Sequence, residues 1–257
     1  MKNYITQSDA KITLESAGER TTVDLYSREG FEFLTNLWIK VGAEHRLMYE
    51  PTWLGRPIIQ FPTDIVAIQE LLWKLRPDVV IETGVAHGGS LMLSASILEL
   101  IGKGKVIGVD IEIRPHNRTA IEAHPLKHRI ELIEGSSVAP ETLASVRKAA
   151  AGAKTVAVFL DSNHTEAHVL KELELYAPLV TPGSYLVAHD GAQAWVWDIP
   201  RGKPEWKDDH PLNAIHKFLA VHPEFRIDPH WTRFGITSSP DGFLEKLTMA
   251  EMAGGAA

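Results

Sequence analysis

VVIETGVAHGGS, residues 79–90, is the stretch that decides the fold. A short apolar run of strand type leads into a turn that contains Gly84 and Gly88, and Ser90 opens the next segment. That segment, SLMLSASILELIG, has the length and composition of a helix. A buried strand, a glycine turn and a helix in this order are typical of α/β proteins that bind a nucleotide-like ligand at the turn. We therefore expect a ligand-binding loop here.

Strand and helix patterns keep alternating along the chain. Further apolar runs in KVIGVD, RIELIEGSS, TVAVFLDSNH and SYLVAHD predict strands, and helical patterns separate most of them. This rhythm predicts an α/β fold with a doubly wound, mostly parallel sheet, in which ligands bind beyond the carboxyl ends of the strands. FRID and FGITSS, residues 225–228 and 234–239, predict an antiparallel C-terminal hairpin that closes the sheet.

The sequence divides into three parts. Residues 1–60 read as an N-terminal arm with a helical and loop extension, 61–247 as the main domain, and 248–257 as a frayed tail. A long, turn-rich segment at about 192–211 suits a lid or substrate loop. Its tryptophans can cover an aromatic or sugar face, or can stabilise the loop or a subunit contact. A helix with a packed apolar face is predicted from the spacing of Phe31, Leu34, Leu37, Trp38 and Val41.

Composition excludes several classes of function. The net charge is −7 with the charges interspersed, so the chain has no basic stripe for nucleic acid. Its zero cysteines exclude disulfides, thiolate zinc sites, iron–sulfur clusters and cysteine nucleophiles. The polar N-terminus lacks a signal core, and no apolar run approaches the roughly 20 residues that cross a bilayer. We expect a cytoplasmic protein without a membrane partner.

Two carboxylates at strand ends point to the cofactor. Asp110, the last residue of KVIGVD, suits the ribose hydroxyls of either a nicotinamide cofactor or S-adenosylmethionine. Glu82 precedes the first glycine, where it would attract the sulfonium and amino group of S-adenosylmethionine and repel a pyrophosphate. Alternatively, Glu82 binds only nearby backbone amides, and the glycines serve only the turn. The spacing Gly84-x-Ala86-x-x-Gly89 also loosely matches a dinucleotide-binding fingerprint.

The segment EGSS at the end of RIELIEGSS adds Glu134, Ser136 and Ser137 as candidates for contacts to the adenine or ribose. The cofactor residues that we expect are Glu82, Gly84, Ala86, Gly88, Ser90, Asp110, Glu134, Ser136, Ser137 and Asp161.

Acidic and histidine residues follow the fourth and fifth predicted strands. LDSNH contains Asp161 and His164, and LVAHDGA contains His189 and Asp190. Neighbouring strands would bring Asp161 and Asp190 together, and two such carboxylates repel each other unless a cation or a proton bridges them. A divalent ion such as Mg²⁺ fits carboxylates and would lower the pKa of a substrate hydroxyl. His164 is suited to remove the hydroxyl proton near neutral pH.

Three segments, 61–114, 159–192 and 210–244, together resemble the family that joins cephalosporin hydroxylase-type proteins to rhamnosyl O-methyltransferases. The resemblance extends from about Gly55 to Leu244. It implies a Rossmann-like class I methyltransferase that binds S-adenosylmethionine and Mg²⁺, acts on secondary metabolites or sugars and is usually a homo-oligomer. By position it implies that Asp161 and Asp190 bind the metal and that His164 is the base.

One position departs from the family pattern. Relatives commonly have an acidic pair where this chain has His189 and Asp190. If His189 binds the metal, an imidazole replaces an oxygen ligand, and Mn²⁺ or another transition metal would compete with Mg²⁺. If His189 does not bind the metal, the metal has fewer protein ligands.

The resulting hypothesis is a divalent-metal-assisted O-methyltransferase that uses S-adenosylmethionine and acts on a hydroxyl of a small molecule, such as a secondary metabolite, sugar or phenol. Two alternatives stay open. One is a non-catalytic or regulatory member of the same fold. The other is a nicotinamide-dependent oxidoreductase, which would give no role to the second acidic cluster.

Overall fold

The predicted alternation of strands and helices is present in the computed structural model, which describes residues 4–8, 10–16 and 19–254. In chain order the strands are β1 (Tyr4–Ser8), β2 (Lys11–Ser16), β3 (Glu19–Asp24), β4 (Thr52–Trp53), β5 (Arg56–Pro57), β6 (Val79–Thr83), β7 (Lys105–Asp110), β8 (Ile130–Glu134), β9 (Val156–Leu160), β10 (Tyr185–Ala188), β11 (Phe225–Ile227) and β12 (Phe243–Lys246). The α-helices are α1 (Arg28–Glu44), α2 (Pro62–Leu75), α3 (Gly89–Ile101), α4 (Pro115–Glu122), α5 (Pro140–Ala149), α6 (Glu166–Tyr176), α7 (Gln193–Val196), α8 (Pro211–Leu219) and α9 (Met249–Gly254).

The central sheet has seven strands in the order β11-β12-β10-β9-β6-β7-β8. The five strands from β10 to β8 are parallel, and β12 pairs antiparallel with both β10 and β11. The chain runs outward from β6 to β8 and then returns to β9 on the other side of β6, so the winding direction reverses between β6 and β9. The carboxyl ends of these strands meet at that reversal, where α/β sheets bind ligands.

The sheet carries helices on both faces because alternate strand residues point to opposite sides. One core cluster packs α2 and α3 onto residues such as Val80, Phe159 and Val187. The other packs α5, α6 and α8 onto Ile81, Val158 and Leu186. Full burial of such side chains stabilises the fold by roughly 1.5–3 kcal/mol each. The doubly wound architecture predicted from the sequence is confirmed.

The C-terminal hairpin is present, but one of its two predicted strands was wrong. FRID supplies β11, whereas its partner β12 is FLEK, residues 243–246, and not FGITSS. Residues 234–239 form a loop, because the hydroxyl and backbone groups of Thr237 and Ser238 bind the buried carboxylate of Asp64. These tertiary hydrogen bonds outweigh the local strand pattern.

The extension before residue 60 is a folded unit. β1, β2 and β3 form an antiparallel sheet that the sequence did not predict. In β3 only Val23 is buried, so this strand has no apolar face with an alternating pattern. The predicted helix is α1, but its apolar stripe is not packed away: the exposed fractions of Phe31, Leu34, Trp38 and Val41 are 38%, 41%, 40% and 56%. Thr35 and Ile39 are buried instead.

The tail is helical further than expected. α9 extends to Gly254, and Arg226 holds it through Glu251, with 2.9 Å between Nη2 and Oε1. Residues 255–257 of the predicted frayed tail lie outside the described residues. Within the described part of the chain, no helix has the length and apolar character needed to span a bilayer.

Candidate active site

The loop between β6 and α3 lies at the reversal point of the sheet. Gly84 and Gly88 adopt left-handed backbone conformations, with φ of 90° and 81°. A Cβ on Gly84 would lie 1.9 Å from the carbonyl oxygen of Asp161 at the end of β9. Glycine is therefore required at position 84 because the loop rests directly on the neighbouring strand. The glycines therefore do serve the turn, and this structural role is compatible with ligand binding by the same loop.

The same loop lines a cavity of about 210 Å³, which we call the loop cavity. Its walls include residues 84–90 together with Asp161, His164 and Asp190. The predicted cofactor residues Ala86, Gly88 and Ser90 are thereby brought to the same cavity as the predicted metal and base residues.

Asp110 fixes the shape of the glycine loop. Its Oδ2 accepts hydrogen bonds from the backbone N–H of Val85 at 2.8 Å and of Ala86 at 3.3 Å. Asp110 also borders a second cavity of about 210 Å³ with Ser136 and Ser137, which we call the serine cavity. These predicted residues therefore lie beside one another at the ends of β7 and β8.

Glu82 is buried, with only 2% of its surface exposed. The hydroxyl of Ser90 donates a hydrogen bond to its Oε1, and its Oε2 has no partner among the described residues. Burial raises the pKa of Glu82 to about 7. The alternative role, as an acid bound to backbone amides, finds no such contact in the described part of the chain. An unpartnered buried carboxylate oxygen is costly unless a ligand donates to it, so Glu82 fits a cationic ligand group.

Glu134 is not brought to the site. Its Oε2 lies 2.8 Å from Nη2 of Arg118, its side chain is half exposed, and it does not line the serine cavity. The strand end turns this side chain towards α4, so the ion pair takes the carboxylate that was predicted to contact the cofactor. Ser136 and Ser137, two and three residues later, do line that cavity.

Asp161, His164 and Asp190 converge in one group. One ligand atom from each lies within 4.8 Å of the others, and His164 Nδ1 is 3.2 Å from Asp190 Oδ2. Burial and the charge of Asp190 raise the pKa of Asp161 well above its usual value. Two repelling carboxylates beside an imidazole fit a divalent cation, which would relieve that repulsion.

The backbone of Asp190 is held in a left-handed conformation, with φ of 60°. Such a conformation costs of order 1–3 kcal/mol outside glycine, although aspartate tolerates it better than most residues. The backbone N–H of Ala192 donates to the carbonyl oxygen of Ser238 at 3.0 Å, and that of Gln193 to Asp190 at 3.0 Å. The loop around residue 238 thus helps to hold Asp190 towards Asp161.

His189 does not join this group, contrary to the expectation of a metal ligand. It is 4% exposed, its Nδ1 lies 2.9 Å from Ser239 Oγ, and its ring packs edge-on against Phe159. Burial lowers the pKa of His189 to about 4, which keeps the ring neutral. Consecutive side chains at a strand end point to opposite sides, so His189 is directed away when Asp190 points to the cluster.

Asp64, which the sequence did not single out, supports the site from behind. It is buried and accepts hydrogen bonds from Thr237 Oγ1 at 2.6 Å, Ser238 N at 2.8 Å and Ser238 Oγ at 2.9 Å. Burial raises the pKa of Asp64 to about 6. In the sequence it is an ordinary acid in the first turn of a helix, so no local signal distinguished it.

His168 is a second residue that sequence reasoning left out. Its Nε2 lies 3.2 Å from both Ser137 Oγ and Ser162 Oγ, and 3.6 Å from Oε1 of the fully buried Glu172. Glu172 raises the pKa of His168. The ring borders the serine cavity. The spacing of histidine and glutamate four residues apart on one helix was the available signal.

A larger cavity of about 360 Å³ lies on the other side of the cluster, and we call it the apolar cavity. His164 and Asp190 line both it and the loop cavity. Its walls come from α1 and the turn after it, from residues 59–61 and from the loop at 192–206. Of the three loop tryptophans, Trp206 lines the cavity, Trp195 packs in the adjoining apolar cluster, and Trp197 lies under Lys207.

The comparisons with known proteins agree on one family. The family model for Rhamnosyl O-methyltransferase/CmcI matches residues 45–247. A rhamnosyl O-methyltransferase of Mycobacterium leprae (strain TN) is 32% identical over 198 residues, which cover 75% of this chain and 82% of the relative. One of Mycobacterium bovis (strain BCG / Pasteur 1173P2) is 31% identical over 199 residues, covering 75% and 77%.

Solved structures share the fold at lower identity. A CmcI structure described with Mg and SAM has a TM-score of 0.58 at 18% identity and covers 78% of each chain. An O-methyltransferase of Bacillus cereus in complex with SAH has a TM-score of 0.50 at 16% identity, covering 86% of this chain and 91% of the other. With the match of the family model, the chain belongs to the rhamnosyl O-methyltransferase/CmcI family.

Proposed function

We propose that this chain is an S-adenosylmethionine-dependent O-methyltransferase that methylates a hydroxyl of a small molecule with the help of a divalent cation. The observation that carries the proposal is the position of His164 and Asp190, which line both the loop cavity and the apolar cavity. A methyl donor in the first cavity and an acceptor in the second would meet at these two side chains.

The loop side has the chemistry that the donor requires. The unpartnered carboxylate oxygen of Glu82 suits the amino group of S-adenosylmethionine, and Asp110 with the serine cavity suits its ribose and adenine. The CmcI structure is described with SAM and the Bacillus cereus structure with SAH, which supports the same cofactor here.

Asp161 and Asp190 would hold the cation, for which Mg²⁺ is our expectation. His189 gives no argument for a transition metal, because its Nδ1 lies 2.9 Å from Ser239 Oγ, and the imidazole in the group is that of His164. When both are bound, the cofactor supplies an electrophilic methyl group and the cation lowers the pKa of the acceptor hydroxyl.

His164 is the proposed base. Its Nδ1 faces Asp190 at 3.2 Å, which orients the ring and leaves Nε2 to take the hydroxyl proton. The acceptor oxygen then forms its new bond to the methyl carbon, and the carbon–sulfur bond breaks with its electron pair remaining on sulfur. The proton on His164 passes to solvent. The chain thus contributes a base, and the walls of the two cavities align donor and acceptor.

Calorimetric titration of the protein with S-adenosylmethionine, with and without Mg²⁺, tests the proposal. We expect micromolar binding, and then methyl transfer to members of an alcohol, phenol and sugar panel that stops when the cation is chelated. A Glu134→Gln variant is a control that should keep the wild-type affinity, because Glu134 pairs with Arg118 and lines neither the loop cavity nor the serine cavity. No binding of S-adenosylmethionine would overturn the assignment and favour a non-catalytic member of the fold.

The homo-oligomeric state and the cytoplasmic location belong to the same proposal and stay predictions. Size-exclusion chromatography with light scattering measures the first directly.

A further inference from the structure

The walls of the apolar cavity describe the acceptor. Most of the lining is aliphatic or aromatic, and its neutral polar side chains are Tyr49, Gln60, Gln193 and Ser238. The apolar lining consists of Ile39, Ala43, Met48, Ile59, Phe61, Ala192, Val196, Ile199 and Trp206. Ligand cavities span roughly 300–1,000 Å³, so about 360 Å³ has room for a molecule of one or two rings. Phe61, Trp206 and the neighbouring Tyr49 favour a flat ring, because aromatic faces and edges pack well together.

The charges of the lining are unequal. Arg46 and Arg201 are its two cationic residues, and Asp190 is its one carboxylate among the described residues. Asp190 and Asp161 are balanced when a divalent cation is bound. Arg201 is partly neutralised by Glu44, whose Oε1 lies 3.8 Å from its Nε. The cavity therefore retains a net positive charge.

Arg46 carries most of that positive charge. Its guanidinium carbon lies 4.4 Å from the centre of the Tyr49 ring, and Tyr49 lines both cavities. Among the described residues no carboxylate oxygen comes within 4.0 Å of the Arg46 guanidinium. The backbone of Arg46 is left-handed, with φ of 57°, because the chain turns here directly after α1. Arg46 is an exposed residue, and its guanidinium is free to pair with a carboxylate of a ligand through two parallel hydrogen bonds.

Gln193 adds a neutral recognition group. Its Oε1 is buried without a hydrogen-bond partner among the described residues, and the residue lines the apolar cavity. The Oε1 of Gln60 is buried and unpartnered in the same way, and Gln60 lines both the apolar cavity and the loop cavity. A buried amide oxygen without a partner costs free energy until a donor reaches it. A hydroxyl group on the acceptor would be that donor.

We propose that the acceptor is a hydroxylated aromatic carboxylic acid. Its ring occupies the apolar cavity, the hydroxyl to be methylated faces His164, a second hydroxyl donates to Gln193, and the carboxylate pairs with Arg46. The inference rests on the proposed function and deepens it by naming the acceptor class. A sugar ring fits less well, because the aliphatic side chains of the lining offer its several hydroxyls no hydrogen-bond partner.

Two probes of the same shape test the charge directly: 3,4-dihydroxybenzoate and 3,4-dihydroxybenzamide. With the full chain, Mg²⁺ and S-adenosylmethionine, we expect the KM of the acid to be at least tenfold lower than that of the amide. Arg46→Gln should bring the ratio of the two KM values to within threefold of one, and Arg46→Lys should restore part of the preference. Arg147→Gln, a charge-loss variant on the exposed face of α5, should keep the original ratio.

Each outcome decides the matter. An acid preference in the wild type that Arg46→Gln removes and Arg147→Gln keeps supports the proposal. Equal KM values, or a preference that survives in Arg46→Gln, overturn it while methylation of either probe leaves the O-methyltransferase function standing. Methylation of methyl α-rhamnoside but of neither probe also overturns only the acceptor class.

Binding of S-adenosylmethionine without transfer to any member of the panel overturns both the acceptor class and the O-methyltransferase function. Thermal melting of the variants identifies any that fail to fold, and for those the wild-type ratio decides.

Discussion

The two sides of the active site are built in different ways. The cofactor side consists mostly of short stretches that follow β6, β7, β8 and β9, and Tyr49, Pro57, Ile59 and Gln60 add to the wall of the loop cavity. The acceptor side draws on α1, the turn at residues 46–49, residues 59–61 and the loop at 192–206, and the outermost residues of this set, Ile39 and Trp206, are 167 positions apart in the chain. Strand ends are positioned by the sheet, whereas the acceptor walls depend on how separate segments pack over it. Asp161, His164 and Asp190 form the boundary between the two sides.

Removing a boundary carboxylate should have the largest effect. Asp161→Asn leaves one carboxylate to hold the cation, and we expect kcat/KM to fall roughly a thousandfold, equivalent to about 4 kcal/mol. Isothermal titration should show weaker Mg²⁺ binding in the same variant. Activity that stays within threefold of the wild type, and resists chelation, would contradict a metal role for the boundary.

His164 should have the next largest effect, and one confined to the chemical step. His164→Gln removes the base, so kcat should fall about a hundredfold, while the Kd of S-adenosylmethionine changes less than threefold. The measurement is single-turnover methyl transfer at several pH values. Should the wild-type rate survive in the variant, the proton must leave by another route.

Glu82 tests the cofactor side on its own. Because burial raises its pKa to about 7, the carboxyl is mostly protonated below that pH and ionised above it. An ionised carboxylate attracts a cationic ligand, so affinity for S-adenosylmethionine should increase from pH 6 to pH 8. Glu82→Gln should bind about tenfold more weakly at pH 8 and lose this pH dependence. Titration calorimetry at the two pH values checks it, and a variant with wild-type affinity and pH profile would refute the role.

His189 should have the smallest effect on function. His189→Ala removes a buried ring and leaves Ser239 without its partner, so the free energy of unfolding should fall by about 1–3 kcal/mol. Affinity for Mg²⁺ should stay within threefold, since the ring is outside the cluster. Denaturant unfolding measures the change in stability, and titration with Mg²⁺ measures the change in metal affinity. A tenfold loss of Mg²⁺ affinity would restore His189 as a ligand.

The sequence carried enough information for the sheet and for most of the cofactor side. Apolar runs of four to six residues with polar residues directly after them identify strand ends, and the sheet converts neighbouring ends into a site. Adjacent positions were harder to separate. His189 and Asp190 look equivalent in the sequence, but only a structure shows which of two consecutive side chains faces the cluster.

The acceptor side was beyond the reach of sequence patterns. Arg46 and Gln193 stand in segments that read as a connecting turn and a lid loop, and nothing local marks them as neighbours. Glu134 is the opposite case. It lies at a strand end, as the predicted cofactor residues do, but Arg118 binds its carboxylate. Side-chain partners from distant segments decide such cases.

The backbone contact between Gly84 and Asp161 links two binding equilibria. Asp161 donates its N–H to the carbonyl oxygen of Thr83 at 2.9 Å, and its own carbonyl oxygen occupies the space of an absent Cβ at residue 84. A ligand that shifts the glycine loop therefore shifts a carboxylate that would hold the cation. Any cooperativity between the two must be reciprocal: the factor by which the cation changes the Kd of S-adenosylmethionine equals the factor by which S-adenosylmethionine changes the Kd of the cation.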